Sequence, residues 1–168
     1  MESENITTFF QQDHDRLDGL LQQFHQLKRS DFEKAKPSFV AFKYGLQRHI
    51  AWEEDVLFPV WETSTGIEGG PTRVMRAEHR EIGRALEAVH QKVQSQDPES
   101  DQEEQSLLDL LMMHNQKEER VLYPAIDSVL TAQDRTAIYE RMHSVPEERY
   151  SVCCDQHEQY AVPHHSEQ

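Results

Sequence analysis

The chain has only two cysteines in 168 residues, and they are neighbours, Cys153 and Cys154. Adjacent cysteines bridge each other only under strain. No disulfide framework is available, which fits a reducing compartment, and the pair reads as two reduced thiols in a C-terminal tail. Positive charge is also scarce: 17 Lys and Arg face 31 Asp and Glu, a net charge of −14. Such a surface repels the phosphates of nucleic acid and anionic membrane surfaces. No apolar run approaches the ~20 residues of a membrane span. The opening Met1-Glu2-Ser3-Glu4 lacks the basic start and apolar stretch of a signal peptide. These absences exclude nucleic acid and membrane as expected partners and point to the cytoplasm.

What remains is polar for a folded chain, with 36% hydrophobic residues and a mean hydropathy of −0.82. Amphipathic helices with wide solvated faces account for that balance. Five segments carry helical periodicity, and none reads as a strand. The first runs from about Ile6 to Lys28, with Ile6, Phe10, His14, Leu17, Leu21 and Phe24 on one face. The second runs from about Pro37 to Trp61, with the stripe Phe39, Phe42, Leu46, His49, Glu53, Val56 and Val60. After a loop at Gly69-Gly70, Pro71 suits a first helical position. The third segment then reaches about Val93, with Met75, His79, Ile82, Leu86, Val89 and Val93 inward. Asp97-Pro98 looks like a cap and first residue. The fourth segment runs to about Val129 and carries Leu107, Leu110, His114, Glu118, Val121 and Ala125. Thr131 caps a short fifth helix ending near His143.

Four long amphipathic helices with short connections imply an all-α, up-down-up-down four-helix bundle with a short fifth helix. The bundle is expected over residues 1–143, and 144–168 reads as an irregular tail. Pro59 and Pro124 fall late in the second and fourth segments. Each removes a backbone hydrogen bond and is expected to kink or end its helix.

The chain also repeats itself. A shift of 65 residues lays His49-Ile-Ala-Trp-Glu53-Glu-Asp-Val-Leu-Phe-Pro59 over His114-Asn-Gln-Lys-Glu118-Glu-Arg-Val-Leu-Tyr-Pro124. It also carries Asp13-His14 onto Glu78-His79. The helix pairs 5–62 and 71–130 are thus two copies of one unit. His14, His49, Glu53, His79, His114 and Glu118 all fall on apolar stripes. A single His with Glu four residues on is ordinarily a solvated pair worth a few tenths of a kcal/mol. Four imidazoles and two carboxylates in a bundle core are costly unless something satisfies them. Two metal ions with two bridging carboxylates fit that inventory. Mixed imidazole and carboxylate ligation suits iron, with manganese or zinc as alternatives. His25 and His90 also coincide under the shift, but lie about 16 Å along their helices from His14 and His79. They read as surface or second-layer residues, as Trp52 and Trp61 read as core or interface aromatics.

The pattern His…His-x-x-x-Glu-Glu-x-x-Leu-Phe-Pro, repeated with Tyr before the second proline, resembles the hemerythrin-like (HHE cation-binding) domain over about residues 5 to 130. The resemblance implies a non-haem di-iron centre with His14, His49, His79 and His114 as imidazole ligands and Glu53 and Glu118 as bridges. It implies dioxygen, nitric oxide or peroxide as the small ligand. The expected role is sensing, storage or carriage of oxygen, nitric oxide or iron. The alternatives are an oxidoreductase acting on peroxide or nitric oxide, or an iron donor for iron–sulfur cluster repair. The family's oxygen carriers place a further His where this chain has Met75. Water, an exogenous ligand or a carboxylate such as Glu78 is expected in its stead, and Glu119 is a possible substitute for Glu118. The sequence sets no oligomeric state.

Overall fold

The computed structural model describes residues 4–151, and the cysteine pair with His157, His164 and His165 lies outside them. Asn5 starts α1 (Ile6–Leu27) by accepting a hydrogen bond from the Thr8 backbone N–H. Asp31 does the same for α2 (Phe32–Trp52) through the Lys34 N–H at 3.1 Å. This helix therefore begins before Pro37, where the sequence reading put its start. Pro37 lies inside this helix. The start of α5 (Asp101–Lys117) also differs, since Asp97 turns the chain by accepting from the Glu99 N–H instead of capping a helix at Pro98. α4 spans Pro71–Gln94, and α7 (Ala132–His143) opens with the expected cap, Thr131 and Asp134 exchanging hydrogen bonds.

Neither Pro59 nor Pro124 ends its helix. Each is preceded by a widened, π-type turn, Glu53–Leu57 and Glu118–Leu122. There the Phe58 N–H reaches back five residues to the Glu53 carbonyl, and the Tyr123 N–H to that of Glu118. The wider turn relieves the clash between a proline ring and the carbonyl four residues back. The rods continue as α3 (Phe58–Thr65) and α6 (Tyr123–Val129). One extra residue per turn advances the buried face by one position. Trp61 is buried in place of Val60, and Leu122 and Ile126 in place of Val121 and Ala125. The expected stripe of the second segment holds through Val56 and is one residue out of phase at Trp61, and in the fourth Leu111 is already buried in place of Leu110.

The four rods, joined by short loops at 28–31, 66–70 and 95–100, form the bundle. No strand occurs among the described residues, and no helix of them is long and apolar enough to cross a membrane. Among the described residues the interior has two apolar clusters. One is built on Leu21, Phe24, Phe39, Phe42, Leu86 and Leu107. The other is built on Ile6, Phe10, Leu57, Phe58, Met75 and Tyr123, and α7 closes it through Ile138 and Met142. Trp52 and Trp61 belong to this second cluster, and the Trp52 indole N–H donates to the Met142 carbonyl at 3.1 Å. The first residues past α7 are anchored too, since Arg149 makes a two-pronged ion pair with Asp55 at 2.6 and 2.7 Å. Between the clusters lies a layer of histidines and glutamates.

Candidate metal centre

Each rod delivers its part of this layer. α1 brings His14, α2 brings His49 and the widened turn after it Glu53, α4 brings His79, and α5 brings His114 and the widened turn after it Glu118. All six side chains are buried, and both glutamates are fully so. Glu53, His79, His114 and Glu118 offer donor atoms within 4.8 Å of one another, as do His14, His49 and Glu118. The two carboxylates span the two histidine pairs. Glu53 Oε1 lies 3.4 Å from His49 Nε2 and 3.3 Å from His79 Nε2. Glu118 Oε1 lies 3.4 Å from His14 Nε2 and 3.1 Å from His114 Nε2.

The outward nitrogen of every ring meets a carboxylate. His14 Nδ1 faces Glu119 at 3.3 Å, His49 faces Asp13 at 2.8 Å, His79 faces Glu54 at 2.6 Å, and His114 faces Glu78 at 2.9 Å. A carboxylate accepts, so each Nδ1 carries the hydrogen. A neutral ring then aims its Nε2 lone pair into the shared interior. These four partners are themselves two repeats, Asp13 with Glu78 and Glu54 with Glu119. Lys117 also donates to Glu78 at 2.5 Å. The His114 hydrogen bond and this lysine hold the Glu78 carboxyl at about 2 despite partial burial. Burial raises Asp13, but the His49 contact outweighs it and leaves the group at about 2.

The interior atoms are incompletely satisfied. Glu53 Oε1, Glu118 Oε2 and His79 Nε2 are buried with no hydrogen-bond partner. Orphaned groups of this kind cost about 1–3 kcal/mol each. A cation among them would meet all three, so the residues fit a metal site. By contrast, the cluster of His25, Asp101 and Glu104 already holds a cation, the Lys28 ammonium.

In the protein without metal, protons do part of this work. Burial alone would lower His79 and His114. Contacts with Glu53 and Glu54 lift His79 to about 9, and those with Glu118 and Glu78 lift His114 to about 10. Their contribution to the metal-free fold is complete below pH 6.5, the ordinary histidine value, and is lost as pH rises through about 9 and 10. Thermal unfolding of metal-free protein across that range is expected to show falling stability. Metal uptake, which needs neutral imidazoles, is expected to release protons. A metal-free transition temperature that stayed flat from pH 6.5 to 10 would contradict this account.

The six sequence-predicted donors are thus brought together. Glu78 and Glu119 sit behind the imidazoles, against Nδ1 atoms, away from the shared interior. Met75 is packed in the second apolar cluster. His25 is half exposed against Glu104, and His90 pairs with Glu87. Sequence reasoning missed Tyr123, which is fully buried with its hydroxyl 2.9 Å from both Glu53 Oε2 and Glu118 Oε1. One hydroxyl hydrogen serves one acceptor well. Burial and the charge of Glu118 push the Glu53 carboxyl above its usual range, and the Tyr123 hydroxyl is placed to donate to either carboxylate. The signal was a Phe over Tyr mismatch in the aligned repeat, Phe58 over Tyr123.

Neither the curated proteins nor the solved structures contain a match to this chain. A family profile described as the hemerythrin HHE cation-binding domain matches residues 5–126. That interval takes in both helix pairs and all six interior donors, and the chain belongs to the hemerythrin HHE cation-binding family.

Proposed function

We propose that this is a non-haem di-iron protein that binds a diatomic ligand, dioxygen or nitric oxide, in a sensing, storage or carrier role. His14 and His49 would hold one iron, His79 and His114 the other, and Glu53 and Glu118 would bridge them. Such a pair supplies an electron-rich position at which a small ligand can bind. The observation that carries the reading is a cavity of about 10 Å³ beside the four imidazoles, walled by Leu17, Phe42, Leu46, Ile50, Ile82 and Leu111. That is room for about one water-sized ligand and none for an organic substrate. Its apolar wall shields a bound diatomic from bulk water, and the four outer carboxylates fix the ring orientations beforehand.

A second reading, turnover of peroxide, draws on one feature. Asp18 and Asn115 are the polar side chains at the cavity wall besides the proposed ligands. Burial raises the Asp18 carboxyl above its usual range, so it could deliver a proton to a reacting oxygen. Anaerobic iron loading and reduction, followed by rapid mixing with oxygen or nitric oxide, separates the two. A long-lived adduct spectrum, reversed when the gas is removed, is expected for the binding role. Fast irreversible oxidation, with peroxide consumed at a rate that falls in Asp18→Asn, is the signature of the enzyme. An iron-loaded sample with no spectral response to either gas or to peroxide would refute both.

A further inference from the structure

The two halves of the centre differ in one atom that changes its chemistry. Under the repeat, Tyr123 corresponds to Phe58, and both rings are completely buried. Phe58 lies flat against the His79 imidazole, 5.9 Å between centroids at 7°, and offers no donor. The Tyr123 oxygen lies 3.4 Å from His14 Nε2 and 3.4 Å from His49 Nε2, as well as 2.9 Å from each bridging carboxylate. His14 Nε2 and His49 Nε2 are themselves 3.1 Å apart. Donors bound to one transition-metal ion at about 2.1 Å and at right angles or slightly wider stand ~3–3.4 Å from each other. Four atoms on this side stand at about that spacing, the two imidazole nitrogens, the phenol oxygen and Glu118 Oε1, while Glu53 turns Oε2 to the phenol and Oε1 to His49 Nε2.

We infer that Tyr123 is a metal ligand, bound through its oxygen to the ion held by His14 and His49; the inference rests on the di-iron reading above. Ligation exchanges the phenol O–H bond for a metal–oxygen bond and releases the proton. Tyr123 comes from the side of the second apolar cluster, with Phe10 against its ring at 5.1 Å. Neither residue lines the small cavity, which lies on the side of the first cluster. The phenolate therefore closes one face of the His14/His49 ion and leaves the cavity face for the exogenous ligand. The His79/His114 ion has no such group, so the two metal positions are unequal in charge and in number of ligands.

The test uses the full chain loaded with ferrous iron under anaerobic conditions and then oxidised. Ferric phenolate absorbs broadly in the visible, and excitation there enhances the ring vibrations of the bound tyrosine. The parent protein is expected to show both features. Tyr123→Phe is expected to lose them while keeping its helical circular dichroism, because Phe58 already fills the equivalent place in the other half. A parent protein that holds iron by elemental analysis but shows no phenolate band overturns the inference and leaves the di-iron reading standing. So does a band that persists in Tyr123→Phe. A parent protein that takes up no iron overturns both.

Discussion

On the proposed di-iron reading, His49→Ala and His114→Ala are each expected to empty at least one iron position, leaving at most one ion per chain by elemental analysis after anaerobic loading. Each substitution removes a buried nitrogen that no neighbour replaces, because the Nδ1 partners Asp13 and Glu78 lie on the far side of the rings. The thermal consequence follows by mass action. An ion present at about 100 times its dissociation constant adds about 2.7 kcal/mol to the folded state. For a chain of this size that is roughly 5–10 °C in Tm. Chelation should cost the parent protein such a shift and cost each variant far less. Glu78→Gln, which leaves the ring in place and withdraws only its orienting charge, should weaken metal binding about 10–100-fold. Two ions per chain in both alanine variants would remove the ligand assignment altogether.

The second large effect lies at the other end of the bundle and involves no metal. The Lys28 ammonium is fully buried against Glu104, with Ser100 at 3.1 Å and Asp101 at 2.5 Å, and Ser100 also donates to Glu104 at 2.7 Å. His25 covers the other Glu104 oxygen at 3.0 Å. Lys28→Ala strips the cation from a buried carboxylate, a loss of about 3–5 kcal/mol, or roughly 10 °C in Tm. Replacing both partners by apolar residues, Lys28→Met with Glu104→Leu, should recover most of that loss, since it leaves no unpaired charge. A double variant as unstable as Lys28→Ala would mean that the lysine acts through packing alone. Metal content should be unaffected in both variants, which separates this network from the histidine layer.

Much of the candidate centre was legible in the sequence because the histidines and glutamates that meet there obey the same helical period as the apolar side chains. His14, His49, His79 and His114 fall on stripes with Leu17, Leu46, Ile82 and Leu107, and duplication made coincidence untenable. The carboxylates behind the rings were in view as the neighbours of those residues, Asp13 beside His14 and Glu54 beside Glu53. Sequence alone does not say which nitrogen of a ring faces in, and so it left Glu78 and Glu119 as possible ligands. The faces beyond Pro59 and Pro124 were misread for a different reason. Periodicity assumes a constant number of residues per turn, and a widened turn breaks that assumption without changing any residue type. Helix starts were misplaced at Pro37, because Asp31 caps the helix earlier, and at Asp97-Pro98, because Asp97 closes a turn instead.

The widened turns carry a consequence for how this chain tolerates change in length. Excising one residue from 119–121 would return that stretch to ordinary helical pitch and leave Leu122, Ile126 and everything beyond them on the sides they now occupy. The shortened backbone would, however, bring a carbonyl up against the ring of Pro124. Deleting the residue together with the proline is therefore expected to be tolerated better than deleting it alone, and the same holds at Pro59.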